Sequence, residues 1–271
     1  MLVREHFTAF VVLLGALAAG CGKKEPPVEL APVSSVSLEG PKAATPAALT
    51  LVIDQASSSV KFLMDSPLEK IDGDAPGSAS GELAVDLEDL SKSSGLVKVD
   101  LDRLSLYQQK RPSGNGEYQE RKKNPLQNEH ARDWLQIAPH EGEVSAAQVA
   151  QNRIAEYRIE KLTTPVKSPS ALTGPERKVT AEVGGTLRLH GRQLPATTRV
   201  ELTFHYAGDK LQSLDVKTLE PLTISLEKFE IHPRDGAGKL VKSITDSLAS
   251  TLKGKLKSEA PVMVALTAKP K

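Results

Sequence analysis

The side chains able to do chemistry are scattered along this sequence rather than grouped. Five histidines follow residue 20, namely His130, His140, His190, His205 and His232, and no two have the i, i+4 helical or tight strand spacing of a metal site. No metal ion is expected. Ser57-Ser58-Ser59 could offer a nucleophile, but no Gly-x-Ser-x-Gly elbow surrounds it and no ordered Asp and His partners accompany it. It reads as a turn. His190 precedes Gly191 at a turn, where a hydrogen bond from imidazole to backbone is favoured over contact with a ligand. Arg132-Asp133 either sits at the rim of an enclosed site, gating it or holding a head group, or forms a surface ion pair worth about 0–1 kcal/mol. The adjacent Trp134, the one tryptophan, either plugs a core or touches a ligand. Binding rather than catalysis is the chemistry these residues leave open, and no cofactor is expected.

The one cysteine is different. Arg4 and His6 precede an apolar run from Phe7 to Gly20, and the run ends Leu17-Ala18-Ala19-Gly20-Cys21. A bilayer-spanning helix needs about 20 residues, more than this run supplies, so the segment reads as a secretory signal. Its end resembles the bacterial lipobox, with Ala18 where Leu is usual. That resemblance implies cleavage after residue 20 and acylation of Cys21 as the first residue of an exported, membrane-anchored lipoprotein. Gly22 rather than Asp after the thiol implies the outer membrane, facing the periplasm of a bacterial envelope. Residues 21–48 contain five prolines and no aromatic residue, a composition expected to form a disordered tether of roughly 30 Å as coil or about 80 Å extended. A single thiol also excludes a disulfide framework and any multi-thiolate zinc or iron-sulfur centre.

The remaining residues, 49–271, have the composition of one soluble domain. The whole chain is 39% hydrophobic and 25% charged, which argues against wholesale disorder and against a polytopic membrane protein. Its net charge of +1 and 4% aromatic content offer neither the basic field nor the stacking platforms that nucleic acids require.

From Leu49 the dominant period is two. Val97-Lys98-Val99-Asp100-Leu101-Asp102 is the clearest alternation, and similar runs lie at 60–64, 83–87, 155–159, 179–183, 187–189, 200–206, 214–216, 224–226 and 262–266. About nine or ten antiparallel strands are expected, joined by short turns such as Ala207-Gly208-Asp209-Lys210. Closing such a sheet into a single barrel hides one face and removes its edges, although period alone leaves a β-sandwich open. Two segments break the period. Asn128 to Ile137 reads as a short helix, and Lys239 to Leu256 as a C-terminal amphipathic helix with Leu240, Ile244, Leu248 and Leu252 on one face. The latter packs on the barrel or lies on a membrane. The polar stretch Tyr107 to Lys123 reads as a mobile insertion.

Ile53-Asp54-Gln55-Ala56-Ser57-Ser58-Ser59-Val60-Lys61-Phe62 resembles the Ile-Asp-x-x-His-Ser-x-Val-x-Phe opening of the YceI-like, polyisoprenoid-binding family, with Ser57 in place of its His. Gly185-Thr186-Leu187-Arg188-Leu189-His190-Gly191 is similar to the family's Gly-x-Leu-Thr-Leu-His-Gly element, and Val200-Glu201-Leu202 to the strand after it. Arg132-Asp133-Trp134-Leu135 is similar to its Arg-Asp-x-His-Leu helix, one residue short and lacking the His. Ile231 to Gly236 is similar to the closing Arg-x-Asp-Phe-Gly motif without its aromatic residue. The resemblance implies a lipocalin-like barrel whose lumen holds a long isoprenoid such as a quinone or polyprenyl chain.

Strand phase then selects the inward residues: Phe62, Leu83, Val85, Val99, Leu101, Leu187, Leu189, Leu202, Phe204, Ile224 and Leu226. Arg132, Asp133, Trp134 and His190 are candidates for the rim. The opposite phase, Thr203 and His205 included, is expected to meet solvent. The reading is a lipid-anchored carrier or sequestering protein for an apolar lipid. Its rival is an envelope lipoprotein whose barrel is filled by its own side chains and takes no ligand.

Overall fold

A computed structural model describes residues 30–34, 36–41, 45–65, 69–112, 116–138, 144–232 and 259–271. Cys21 and the helix expected over Lys239 to Leu256 lie outside the described residues. In chain order the strands are β1 (Ala48–Ile53), β2 (Ser59–Asp65), β3 (Glu69–Pro76), β4 (Ala79–Asp86), β5 (Ser94–Asp100), β6 (Ser105–Lys110) and β7 (Lys122–Lys123). After two helices, α1 (Pro125–Trp134) and α2 (Ala146–Asn152), come β8 (Ile154–Thr163), β9 (Glu176–Leu189), β10 (Arg192–Ala207), β11 (Lys210–Thr218), β12 (Leu222–Ser225) and β13 (Glu259–Pro270).

The expected antiparallel barrel is present. Eight strands follow one another in the order β1-β4-β5-β8-β9-β10-β11-β13, and β13 closes the ring by pairing back to β1. Beyond β1, the same edge of β13 carries β2, then β3, β6 and the short β7. The ring therefore has extra wall over half of its height.

Local sequence explains most of these elements. His190 and Gly191, both at positive φ (50° and 70°), make the two-residue turn between β9 and β10, the geometry whose twist matches antiparallel strands. The sequence suggests two strands where β9 runs unbroken for 14 residues. Its Gly184-Gly185 pair lies opposite an irregularity in β8, between Ile159 and Lys161. A Cβ on Gly185 would stand 1.9 Å from the Arg158 carbonyl oxygen, so only glycine lets the two strands stay paired there. Helix α1 begins two residues after Lys123, the end of β7: Asn124 caps it by accepting from the Gln127 N–H, and Pro125 opens its first turn. That pair places its start earlier than the expected Asn128. The helix α2, not anticipated, is fixed by a capping box between Ser145 and Gln148.

Three expectations are corrected. The polar stretch from Tyr107 is not wholly an insertion: β6 continues to Lys110, β7 pairs with Tyr107 and Gln108, and the Arg121 guanidinium stacks 3.5 Å from the Tyr107 ring centre while pairing with Asp72 and Asp74. The tether departs more. Ala31 and Leu38 are buried, Ser34 N–H donates to the Gly191 carbonyl at 2.7 Å, Gln193 N–H donates to the Pro32 carbonyl at 3.0 Å, and Val33 bridges to Arg192. Backbone hydrogen bonding, which composition does not register, straps this segment to the barrel. Thr203, finally, is 8% exposed rather than solvent-facing; on either side in register stand the longer Lys178 and Asp215.

The core fills one end of the barrel. Leu51, Leu83, Leu90, Leu202, Phe204 and Leu214 are each less than 5% exposed there, with Val85 at 5%, and each such side chain contributes about 1.5–3 kcal/mol relative to exposure. Beside this plug, the buried Asp86 carboxylate accepts the Thr45 hydroxyl and the Glu88 and Asp89 N–H groups. The Thr45 bond first, then the two backbone bonds, hold its pKa below the usual carboxylate range against the opposing cost of burial.

Gly185→Ala is expected to lower the unfolding free energy by more than about 2 kcal/mol, read from the urea midpoint at unchanged slope, because a clash with backbone has no side chain to yield. A folded-state pKa below the unfolded value of about 3.9 makes the contribution of Asp86 complete above that pH and lost as pH falls through the folded pKa. Asp86→Asn should therefore reduce Tm at neutral pH and flatten its decline below about pH 4, as followed by circular dichroism.

Candidate functional site

Above the plug the barrel is not filled. A cavity of about 680 Å³ lies between the packed end and α1, within the range of small-molecule sites. The wall strands line it at every second residue, as the pleat requires: Val97 and Val99 from β5, Ala155, Tyr157 and Ile159 from β8, Leu187 and Leu189 from β9, and Val262, Val264 and Leu266 from β13. Its other end is crossed by α1, which presents Gln127, His130, Ala131 and Trp134 inward, the i, i+3, i+4, i+7 face of one helix.

Of the residues chosen by phase, Phe62, Val99, Leu101, Leu187, Leu189, Ile224 and Leu226 line this cavity. Leu83, Val85, Leu202 and Phe204 point to the same inner face but lie lower, in the plug, and do not line it. Phase gives the side of the wall and carries no information about height. Phe62 keeps its place because its register partner is Gly73, where a Cβ would stand 2.1 Å from the ring.

The rim candidates separate. Trp134 lines the cavity and stacks on His130, with ring centres 6.1 Å apart. Arg132 and Asp133 are off the lining. Arg132 instead pins α1 to the turn after β5, pairing with the Asp102 carboxylate and donating to its carbonyl at 3.3 Å. His190 is a latch: Nδ1 is 2.8 Å from the Phe229 carbonyl, and Nε2 faces the Gln136 side-chain amide at 2.9 Å just past the end of α1. His205, expected in solvent, is partly buried and 2.8 Å from Asp215 Oδ2. The sequence reading missed Gln127 and His130: Gln127 precedes the helix expected from Asn128 and His130 enters it only as a candidate metal ligand, although their i, i+3, i+4, i+7 spacing with Ala131 and Trp134 is the signal that marks this face.

The polar atoms along the wall are engaged by the wall itself. The Tyr157 hydroxyl shares its proton between the Ala196 and Val183 carbonyls at 3.0 and 3.1 Å; burial, and secondarily Glu160, push its pKa up, so it remains a phenol. Thr198 donates to the Glu220 carbonyl, and Thr218 accepts the Val264 N–H at 2.9 Å. Gln127 and His130 bring polarity from α1, and Glu156 of β8, its carboxylate paired with Arg188, is the remaining polar residue of the lining. Among the described residues no group of three His, Cys, Asp or Glu side chains could hold a metal ion. The cavity is thus a largely apolar sleeve with a polar spot on its helical cover.

The YceI-like domain model matches residues 51–256, and the chain belongs to the YceI-like family. Among solved structures, it is similar to a polyisoprenoid binding domain from Saccharophagus degradans implicated in plant cell wall breakdown, at 14% identity and a TM-score of 0.48, covering 82% of this chain and 99% of that one. It is also similar to BcnA from Burkholderia cenocepacia, at 14% identity and a TM-score of 0.46, covering 80% and 99% respectively. A comparison with curated proteins finds no match.

His190→Ala should cost about 1–3 kcal/mol of stability, because the Phe229 carbonyl and the Gln136 amide both lose a partner. Arg132→Ala, which removes a half-exposed ion pair, should change stability by less than about 1 kcal/mol while speeding amide hydrogen exchange along 125–134. Protection unchanged in that helix would show that Arg132 does not hold it.

Proposed function

We propose that this protein binds a long apolar lipid of isoprenoid type, such as a quinone or polyprenyl chain, noncovalently in its barrel, as a carrier or sequestering protein. The observation that carries the reading is the cavity of about 680 Å³, walled by aliphatic side chains and closed below by a packed plug. Burial there is worth about 0.8 kcal/mol per methylene before ordering costs, which favours a flexible hydrocarbon chain over a polar metabolite. The polar tip of the ligand belongs against Gln127 and His130. Membership of the YceI-like family, whose resemblance implied an isoprenoid, points the same way. The rival with a wholly filled barrel accounts for the plug and not for the space above it.

The short apolar run and small residues before Cys21 support the further reading that the chain is exported, cleaved, acylated on Cys21 and held at a bacterial membrane, the outer one facing the periplasm by the residue after the thiol. Cys21→Ala should then release the protein from carbonate-washed membranes and remove the acyl mass from the intact chain. Retention of that variant by membranes, with no lipid mass on the parent, would sink the anchor.

Mass spectrometry of organic extracts from gently purified protein should yield an apolar lipid, and returning a quinone or polyprenyl alcohol to stripped protein should shift the emission of Trp134, which faces the lumen. Val216→Trp, which fills the lumen from β11, should lower copurified lipid roughly tenfold, equivalent to about 1.4 kcal/mol. Absence of lipid from the parent and an unmoved Trp134 spectrum would favour the ligand-free rival.

A further inference from the structure

The N-terminal strap enters the fold at one particular end. Ala31 N–H donates to the Lys228 carbonyl at 3.0 Å, Arg192 Nη1 donates to the Ala31 carbonyl at 2.5 Å, and Ser34 N–H donates to Gly191. Gly191 is in the β9–β10 turn, which His190 ties to Gln136 beyond the end of α1. The strap then passes Leu38, whose N–H donates to Glu156 Oε2 at 2.8 Å, and reaches β1, whose first residue Ala48 lies opposite Asp86 near the plug. The chain thus arrives at the α1-covered end and descends the outer wall.

That path limits orientation. Nine residue steps separate Cys21 from Leu30, and a fully extended chain of that length reaches about 30 Å. Strand β10 has 16 residues and runs from Arg192 at the α1 end to Ala207 at the plug, about 50 Å along the strand and about 40 Å along a barrel axis at the usual strand tilt. With the strap docked and the plug facing a membrane, Leu30 would stand higher than its leash can reach. An undocked tether from Cys21 to Ala48 would impose no such limit.

We infer that the docked strap turns the α1-covered end of the lumen toward the lipid bilayer that holds Cys21. The inference rests on the proposed anchor and adds the surface that meets the bilayer. Exposed Lys122 and Lys123 of β7 lie just before α1 and exposed Leu126 in its first turn, with Lys122 paired to Glu120 at 3.5 Å, a charged and apolar edge suited to a lipid head-group layer. Because the plug blocks the far end, a hydrocarbon chain would pass between bilayer and lumen beside α1 without crossing bulk water.

The test uses the full acylated chain in vesicles of phosphatidylethanolamine and phosphatidylglycerol carrying a rhodamine head-group acceptor. Since Cys21 would be blocked by acylation, a thiol-reactive donor can be placed on Leu126→Cys or on Asp209→Cys, exposed in the β10–β11 turn. Energy transfer from the first should exceed that from the second by at least about twofold, given a height difference of about 40 Å. Ala31→Arg or Arg192→Ala, which loosen the strap outside the barrel wall, should bring the two values together while circular dichroism shows the barrel intact. Equal or reversed transfer in the docked parent, with the protein still vesicle-bound, overturns the orientation and leaves the anchor standing. A preference that survives both strap variants overturns the role of the strap. Parent protein that carries no acyl mass and does not stay on vesicles overturns the anchor, and the orientation falls with it.

Discussion

The barrel depends on hydrogen bonding along both edges of β13. One edge pairs with β1 and then β2; the other pairs with β11 through Ala265–Ala268 and with β12 through Glu259–Val262. Without this strand the β1 and β11 edges would lie open, a row of unpaired backbone groups. The two partners on the second edge leave a gap at Met263 and Val264, and Thr218 bridges it: its hydroxyl accepts the Val264 N–H and lies 3.3 Å from the Val264 carbonyl. A side chain thereby substitutes for a missing ladder step, so the buried backbone stays satisfied where the strand changes partners.

The same strand shows how one wall can be both core and cavity. Val262 and Val264 line the lumen, Leu266 borders both regions, and Ala268 is fully buried in the plug. Near the plug, the inward side chains of β4, β9, β10 and β11 meet across the barrel. Higher up, β2, β3 and β12 add wall and α1 spans the opening, which spreads the inward side chains too far apart to meet. A change of partner strands, with no change in residue type, separates the filled half from the hollow half.

This explains what could be read in advance. Alternation identified most of the long strands and their inner faces, and His190-Gly191 carried its turn geometry openly. Leu202 and Leu187 share phase and chemical type, yet one is plug and the other lumen, because height along the barrel is set by long-range pairing. Strand β3 escaped notice because Asp72 and Asp74 stand among its few apolar residues. Their partner Arg121 is far along the chain and pairs with both, so the charges that disguise the strand help to hold it. The helix α1 was visible, but its inward face was not, since Gln127 precedes the expected start at Asn128 and His130 reads only as a candidate metal ligand.

The strap escaped for a related reason, and its contacts show how a proline-rich segment can be held in one register. Glu156 and Arg188 are opposite each other on β8 and β9, alternating along those strands with Ala155, Tyr157, Leu187 and Leu189 of the cavity wall, and by residue type both belong in water. They are nevertheless 1% and 2% exposed, paired at 3.3 Å, with Lys98 3.5 Å from the carboxylate. Desolvating such a pair is costly, so every remaining lone pair and proton must find a partner. Leu38 N–H supplies one to Glu156, and the Ser34 carbonyl accepts from Arg188 Nε at 3.4 Å. An apolar groove would accept a chain slid by a residue either way. A buried charge pair demands an N–H and a carbonyl at fixed positions, so the wall holds this part of the chain in a single register.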